Sequence, residues 1–267
     1  MNNEALSFGT MLRQWRRHRS LSQLRLAADA DISQRHLSFI ESNRSSPSRN
    51  MVIHLADQLS VPLRERNTLL VAAGFAPSYQ ERNRDDPELA AARRAVTSLL
   101  EKHEPYPALA VDRHWTLVEA NRSVAALLDG VDASLLREPL NVLRISLHPQ
   151  GVAPRIVNFR QWREHVLFRL DMQIDNSADT GLIALRKELQ DYPVPAGAAA
   201  HRSADSVEAA PIAVPLRIRT RAGVLSFIST TMIFGTALDI TLSELAVEFF
   251  FPADEQTTTI LQSLPGR

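Results

Sequence analysis

The sequence predicts two domains of different class: an all-α N-terminal domain of five short helices, then an α+β domain built on a five-stranded antiparallel sheet. Three observations carry this. Through residues 1–76 apolar residues recur at helical spacing, interrupted by polar caps and turns. From Pro105 the pattern changes to short runs, and the chain ends in alternating, β-rich segments. Charge divides the same way. Residues 1–80 hold ten Arg and no Lys against six Asp or Glu, a net of +4, while the remainder carries −4, so the 267-residue chain is neutral overall. A basic part joined to an acidic part suggests one domain that faces phosphate and one that does not.

The helices of the first domain follow in order. Phe8, Leu12 and Trp15 form the apolar face of the first. Ser20 or Ser22 can cap the second, which turns Leu24, Ala27 and Ala28 inward. Residues 28–32 make a turn, and Ser33 caps the third helix, whose Leu37 and Ile40 face the core. A polar loop over 43–48 leads to the fourth helix, with Val52, Leu55, Ala56 and Leu59 on one face. Pro62 suits the first turn of the fifth helix and Gly74 its C-terminal stop.

Residues 76–87 are polar and proline-bounded. The expected organisation is therefore 1–76 as the first domain, 77–104 as linker and connecting helix, 105–255 as the second domain and 256–267 as a C-terminal tail. Within the second domain, 106–111 and 115–119 read as strands joined by the turn Asp112-Arg113-His114. Asn121 can cap a helix to Leu128. Residues 155–174 and 180–190 read as helices, and 193–211, rich in Ala, Pro and Ser, as a long loop. Ile212, Val214, Leu216 and Ile218 alternate with Arg217 and Arg219 as a half-buried strand. Ala222-Gly223 is a hairpin signal, Val224 to Phe234 the partner strand, and Glu244 to Phe251 a last strand stopped by Pro252.

Leu21-Ser22-Gln23, Leu26-Ala27, the run from Ile32 to Glu41, Pro47-Ser48, Leu55-Ala56 and Leu59 together resemble the XRE/phage-repressor helix-turn-helix family. Ala30-Asp31 departs from the Gly usual in the turn, but Asp tolerates positive φ. The resemblance implies sequence-specific binding of a double-stranded DNA operator, with the third helix in the major groove. Gln34, Arg35 and Ser38, with His36 beside them, are the candidates for base edges, since Gln can pair bidentately with adenine and Arg with guanine. Gln23, Asn43, Arg44, Ser45 and Arg49 are the candidates for phosphates, which set register without reading sequence. Arg13, Arg16 and Arg17 are either long-range attractors or a solvated face. Regulators of this kind bind paired half-sites, so a homodimer is expected.

A second resemblance covers nearly the whole chain, on residues 33–41, 47–49, 61–67 and 72–77, Trp115 with Glu119-Ala120-Asn121, 234–245 and 250–254. It is to transcriptional regulators with an MmyB-like ligand-binding domain. It implies a PAS-like C-terminal fold and a small apolar ligand such as a fatty acid. The candidate ligand-binding residues are Phe159, Trp162, Arg163, Val166 and Leu170 on the long helix, with Phe227, Met232, Phe234 and Phe249 on strands. Arg155, Arg160, Arg163 and Arg169 are candidate cations for a carboxylate head group. Plain core is the competing reading for each apolar residue, and a dimerisation or protein-interaction module without ligand is the competing reading for the domain.

Other classes find little support. The chain has no cysteine, which excludes disulfides and thiolate chemistry and fits a reducing, cytoplasmic setting. Its eight His form no pair at metal-ligand spacing, and nine Gly supply no phosphate-cradling loop, so neither catalytic residue, cofactor nor metal site is expected. No signal peptide and no membrane span are expected.

Overall fold

The computed structural model describes residues 7–198 and 213–263. Ile212 and most of the expected loop over 193–211 lie outside the described residues. The chain forms two compact units. One comprises residues 1–83 with the short segments 173–178 and 236–243, and the other the rest.

The first unit contains α1 (Phe8–His18), α2 (Gln23–Asp29), α3 (Gln34–Glu41), α4 (Arg49–Gln58) and α5 (Leu63–Ala72). Their boundaries are chemical. Ser7, Ser22, Ser33 and Ser48 each sit in extended backbone and accept a hydrogen bond from the N–H three residues on, satisfying a donor the helix cannot. Ser22, not Ser20, therefore caps α2. Ser20 instead adopts positive φ after α1, as Asp31 does after α2 at φ 51°. That left-handed residue lets Asp31 and Ile32 donate back to the carbonyls of Ala28 and Ala27, closing the turn without glycine. Pro62 occupies the cap position of α5, and Gly74 ends it at φ 86°. Leu12, Leu26, Leu37, Leu55 and Leu69 are fully buried and meet in one core, together with Trp15, Ile40 and Leu70.

The second unit begins with α6 (Ala90–Lys102), β1 (Ala108–Val111) and β2 (Leu117–Ala120), followed by a three-ten helix over Arg122–Leu128. Then come α7 (Val142–Leu147), α8 (Phe159–Ser177), α9 (Thr180–Asp191), β3 (Leu216–Thr220) and β4 (Gly223–Ile233). The short α10 (Ile240–Ser243) is part of the first unit. β5 (Ala246–Pro252) and α11 (Glu255–Ser263) end the described chain, so the segment expected as a C-terminal tail contains a helix.

The strands form one antiparallel sheet in the order β2-β1-β5-β4-β3. β5 takes the centre, beside the wholly apolar β1. The edge strand β3 turns Arg217 and Arg219 outward, which discourages pairing with another chain. β3 and β4 pair from Leu216↔Phe227 to Thr220↔Gly223, so the hairpin turn is Arg221-Ala222, with Gly223 at φ 134° as the first residue of the partner strand. Asn121 does not cap a helix with its side chain. Its buried amide accepts from the Ala108 N–H and donates to the carbonyls of Leu100 and Tyr106, tying the end of α6 to β1. α6 packs through Val96 and Leu100 on one sheet face, against Ala108, Ala110 and Val247. The other face covers a cavity.

Candidate functional site: recognition helix and apolar cavity

The exposed face of α3 begins immediately after its cap. Gln34 and Arg35 are exposed, and His36 and Ser38 half-buried. The Arg35 guanidinium lies 5.3 Å above the Phe39 ring, one helical turn along, which holds the long side chain on that face. Arg44 and Arg49 are exposed and Ser45 half-buried in the stretch that follows. Arg49 donates to the Ser78 hydroxyl.

Two residues expected at phosphates also have structural partners. The Gln23 amide nitrogen donates to Glu41 Oε2 at 2.8 Å. Asn43 accepts from the Gly9 N–H at 3.1 Å and donates to the Ser7 hydroxyl at 2.8 Å, fastening the end of α3 to the start of α1. Only glycine fits at residue 9: a Cβ there would lie 2.3 Å from the Ile40 carbonyl oxygen. Arg16 corrects one expectation. It is neither attractor nor solvated face, since it is buried and grips Glu41 with two bonds of 2.6 and 2.9 Å. Burial would push the Glu41 carboxyl up. The bonds from Arg16 and Gln23 and the charges of Arg16 and Arg13 outweigh it and hold the group below the usual carboxylate range. The recognition helix is thus anchored at its C-terminal residue, leaving its N-terminal turn presented.

In the second unit a cavity of about 110 Å³ lies between the sheet, the three-ten helix, α7 and α8. Leu109, Leu117, Leu216, Ile218 and Phe250 line it from the sheet, and Val124, Leu127 and Leu128 from the three-ten helix. Leu143, Ile145 and Ser146 come from α7, and Trp162, Val166 and Arg169 from α8. Asn141 sets α7 in place, since its Oδ1 accepts from the N–H groups of Leu143 and Arg144 while its amide donates to the His114 carbonyl. Trp115, also lining the cavity, stands at φ 64°, a left-handed conformation unfavourable for a bulky residue. Asp112 supports that turn by accepting from the N–H groups of His114 and Thr116.

Of the nine expected ligand residues, Trp162 and Val166 line the cavity. Phe159, Leu170 and Phe227 are fully packed core. Met232 and Phe249 lie on the opposite sheet face, against α6, because side chains alternate along a strand and Phe250, not Phe249, points to the cavity; Phe234, one residue past β4, packs against the same cluster. Arg163 donates to the Gln190 carbonyl. Among the four candidate cations only Arg169 lines the cavity, while Arg155 donates to the Leu127 carbonyl and Arg160 is exposed.

Sequence reasoning did not find the lining from residues 124–152, whose Leu and Val density was the available signal. Nor did it find Glu248. That carboxylate, 2% exposed, receives Arg169 at 2.5 and 3.2 Å and the Thr231 hydroxyl at 2.6 Å. Arg169 also donates to Thr231 at 2.8 Å and stacks 5.0 Å from the Trp115 ring.

His165, one helical step from Trp162 and Arg169, is half-buried, and burial is the main cause that lowers its pKa. Arg169 adds to the effect and Glu248 opposes it. A folded imidazole that resists protonation leaves the unfolded chain to take up the proton first, near its ordinary value of about 6.5. Stability of this unit should therefore fall as pH drops below that value, and His165→Gln should flatten the fall. Thermal unfolding at pH 7.5 and 5.5 checks this, and equal losses in both proteins would assign the pH effect elsewhere.

An anchored recognition helix in one unit and an apolar cavity in the other define a DNA-binding protein with a ligand-binding domain. The helix-turn-helix family matches residues 12–66, and the MmyB-like transcription regulator ligand binding domain family matches residues 92–264. The chain belongs to this MmyB-like family and is a DNA-binding transcription regulator with a ligand-binding domain. No match was found among curated proteins. No helix among the described residues is long and apolar enough to cross a membrane.

Proposed function

We propose that this regulator acts in the cytoplasm as a homodimer on paired operator half-sites, without catalysis, and that a small apolar ligand in the C-terminal cavity changes its affinity for the operator. A fatty acid is the ligand class implied by the family resemblance. The observation that carries the reading is the pocket itself, a half-open, almost wholly apolar concavity of the kind that small apolar molecules occupy. A ligand shifts the operator equilibrium only by its differential affinity for the competent and incompetent states. Native mass spectrometry of the purified protein, with organic extraction, tests occupancy. Operator titrations with and without saturating extracted ligand test coupling. Equal operator affinity in both would remove the sensing role.

Base reading is assigned to Gln34, Arg35 and Ser38, with His36 beside them, and phosphate positioning to Arg44, Ser45 and Arg49. Arg44→Ala is expected to weaken operator and unrelated DNA alike and to reduce the salt slope of log K by about one. Anisotropy titrations over a range of salt check this, and a loss confined to the operator would move Arg44 to the base-reading group.

A further inference from the structure

Resting on the reading that a ligand in the pocket governs operator binding, we infer that Arg19 receives the signal. It clasps the end of α8, the helix that also forms pocket wall, to the end of α4. α8 is one uninterrupted helix from Phe159 to Ser177. Its Trp162, Val166 and Arg169 line the pocket. Its last residues, from Gln173, belong to the first unit. Asp175 stands less than two turns beyond Arg169, an axial rise of about 9 Å. There the Arg19 guanidinium donates to the carbonyl of Asp175 and, at 2.8 Å, to that of Asn176. His18 Nε2 meets the Asp175 carbonyl as well, at 2.7 Å. The same guanidinium donates to the carbonyls of Leu59 and Ser60, at 2.9 and 3.1 Å, where α4 ends. Carbonyls at a helix end lack intrahelical partners and carry partial negative charge. One half-buried cation is thus shared by two helix ends.

Coupling between distant sites needs a physical element that both sites bias. A helix is stiff along its axis, so a ligand that shifts Trp162, Val166 and Arg169 also shifts the carbonyls of Asp175 and Asn176. The clasp responds sharply, because a hydrogen bond weakens steeply as its angle departs from the optimum. The donors of a guanidinium form a fixed planar fork, so Arg19 cannot follow one helix end without straining its bonds to the other. The helix at that other end, α4, opens with Arg49, so its position bears on how the unit meets DNA. Segment 236–243 also belongs to the first unit. It is fixed to residues 80–82 by the Asp239–Arg82 pair and by the Ile240 N–H to the Gln80 carbonyl. That segment holds no residue of the pocket wall, which leaves α8 as the direct route.

The experiment uses full-length protein labelled with ¹⁵N-tryptophan and titrated with dodecanoate below its micelle concentration. The chain has three tryptophans. The indole resonances of Trp115 and Trp162 report on the pocket. That of Trp15 reports on the clasp, since its ring lies 5.3 Å from the Arg19 guanidinium. In wild-type protein all three should move along one saturation curve, and dodecanoate should change the operator Kd at least fivefold, the lower end of allosteric coupling. Arg19→Lys keeps the cation but cannot span both helix ends. In it Trp115 and Trp162 should still move, Trp15 should stay still, and the operator response should fall below twofold. Asp239→Asn, which removes the ion pair of the other segment, should keep the wild-type response. A wild-type operator response in Arg19→Lys, or a loss of response in Asp239→Asn instead, would overturn the role of Arg19 and leave the sensing reading standing. A still Trp15 in wild-type protein whose operator affinity does respond would overturn it equally. If dodecanoate moves neither pocket tryptophan, or leaves the wild-type operator affinity unchanged, the sensing reading falls and this inference with it.

Discussion

Glu41→Ala should destabilise the N-terminal unit by about 3–5 kcal/mol, the scale seen when one partner of a buried ion pair is removed. The Glu41 side chain is inaccessible to water, and that of Arg16 is 10% exposed. Truncation leaves a guanidinium in the core with only the Leu21 carbonyl, and it also releases the Gln23 amide. The double variant Arg16→Met, Glu41→Leu should recover at least half of the loss, since it removes the charge that truncation strands.

A pH signature accompanies the effect. The folded carboxyl is held below its ordinary value, so the unfolded chain binds a proton first as pH falls through about 4.3. The stabilisation is complete above that pH and is lost as pH falls through the folded pKa. Urea unfolding of the full chain, followed through the Trp15 indole resonance, measures both effects. A wild-type midpoint for Glu41→Ala would mean that the ion cluster adds nothing to stability.

What the sequence could and could not reveal follows from the range of each interaction. Ser33, and Ser22 as one of two alternatives, were readable as caps because a cap acts within three residues of itself. Asp31 was readable as a left-handed turn for the same reason. The structural partners of Gln23, Asn43 and Arg16 were not legible because they lie 18, 34 and 25 residues away and are set by how α1 and α2 pack on α3. In the second unit, helical spacing located Trp162 and Val166, one turn apart on α8. Strand assignments failed by one position at Phe249, where a single-residue offset exchanges sheet faces. The apolar residues between 124 and 152 follow short three-ten and α-helical turns with no sustained period, so no regular pattern marked them as a wall. Arg169 and Glu248 are 79 residues apart, and no local rule pairs them.

Arg35→Ala should erase the preference for one operator base pair while leaving affinity for unrelated DNA nearly intact. Arg35 stands in the first turn of the recognition helix, exposed, with its guanidinium over Phe39 rather than in an ion pair with α3. A guanidinium so placed can present its fork to the O6 and N7 of guanine, a contact that discriminates by about 1–3 kcal/mol, or roughly 5- to 150-fold. Arg35→Lys separates charge from geometry, because lysine keeps the cation but lacks the planar fork. It should hold non-specific affinity and the salt slope at wild-type values yet lose discrimination almost as fully as alanine. The operator is first selected from a random-sequence pool with wild-type protein. Each variant is then titrated against that site and its single-base variants at one fixed salt concentration, since affinities at different salt are not comparable. If both variants retain the wild-type base preference, Arg35 does not read the groove, and the burden of recognition passes to Gln34 and Ser38.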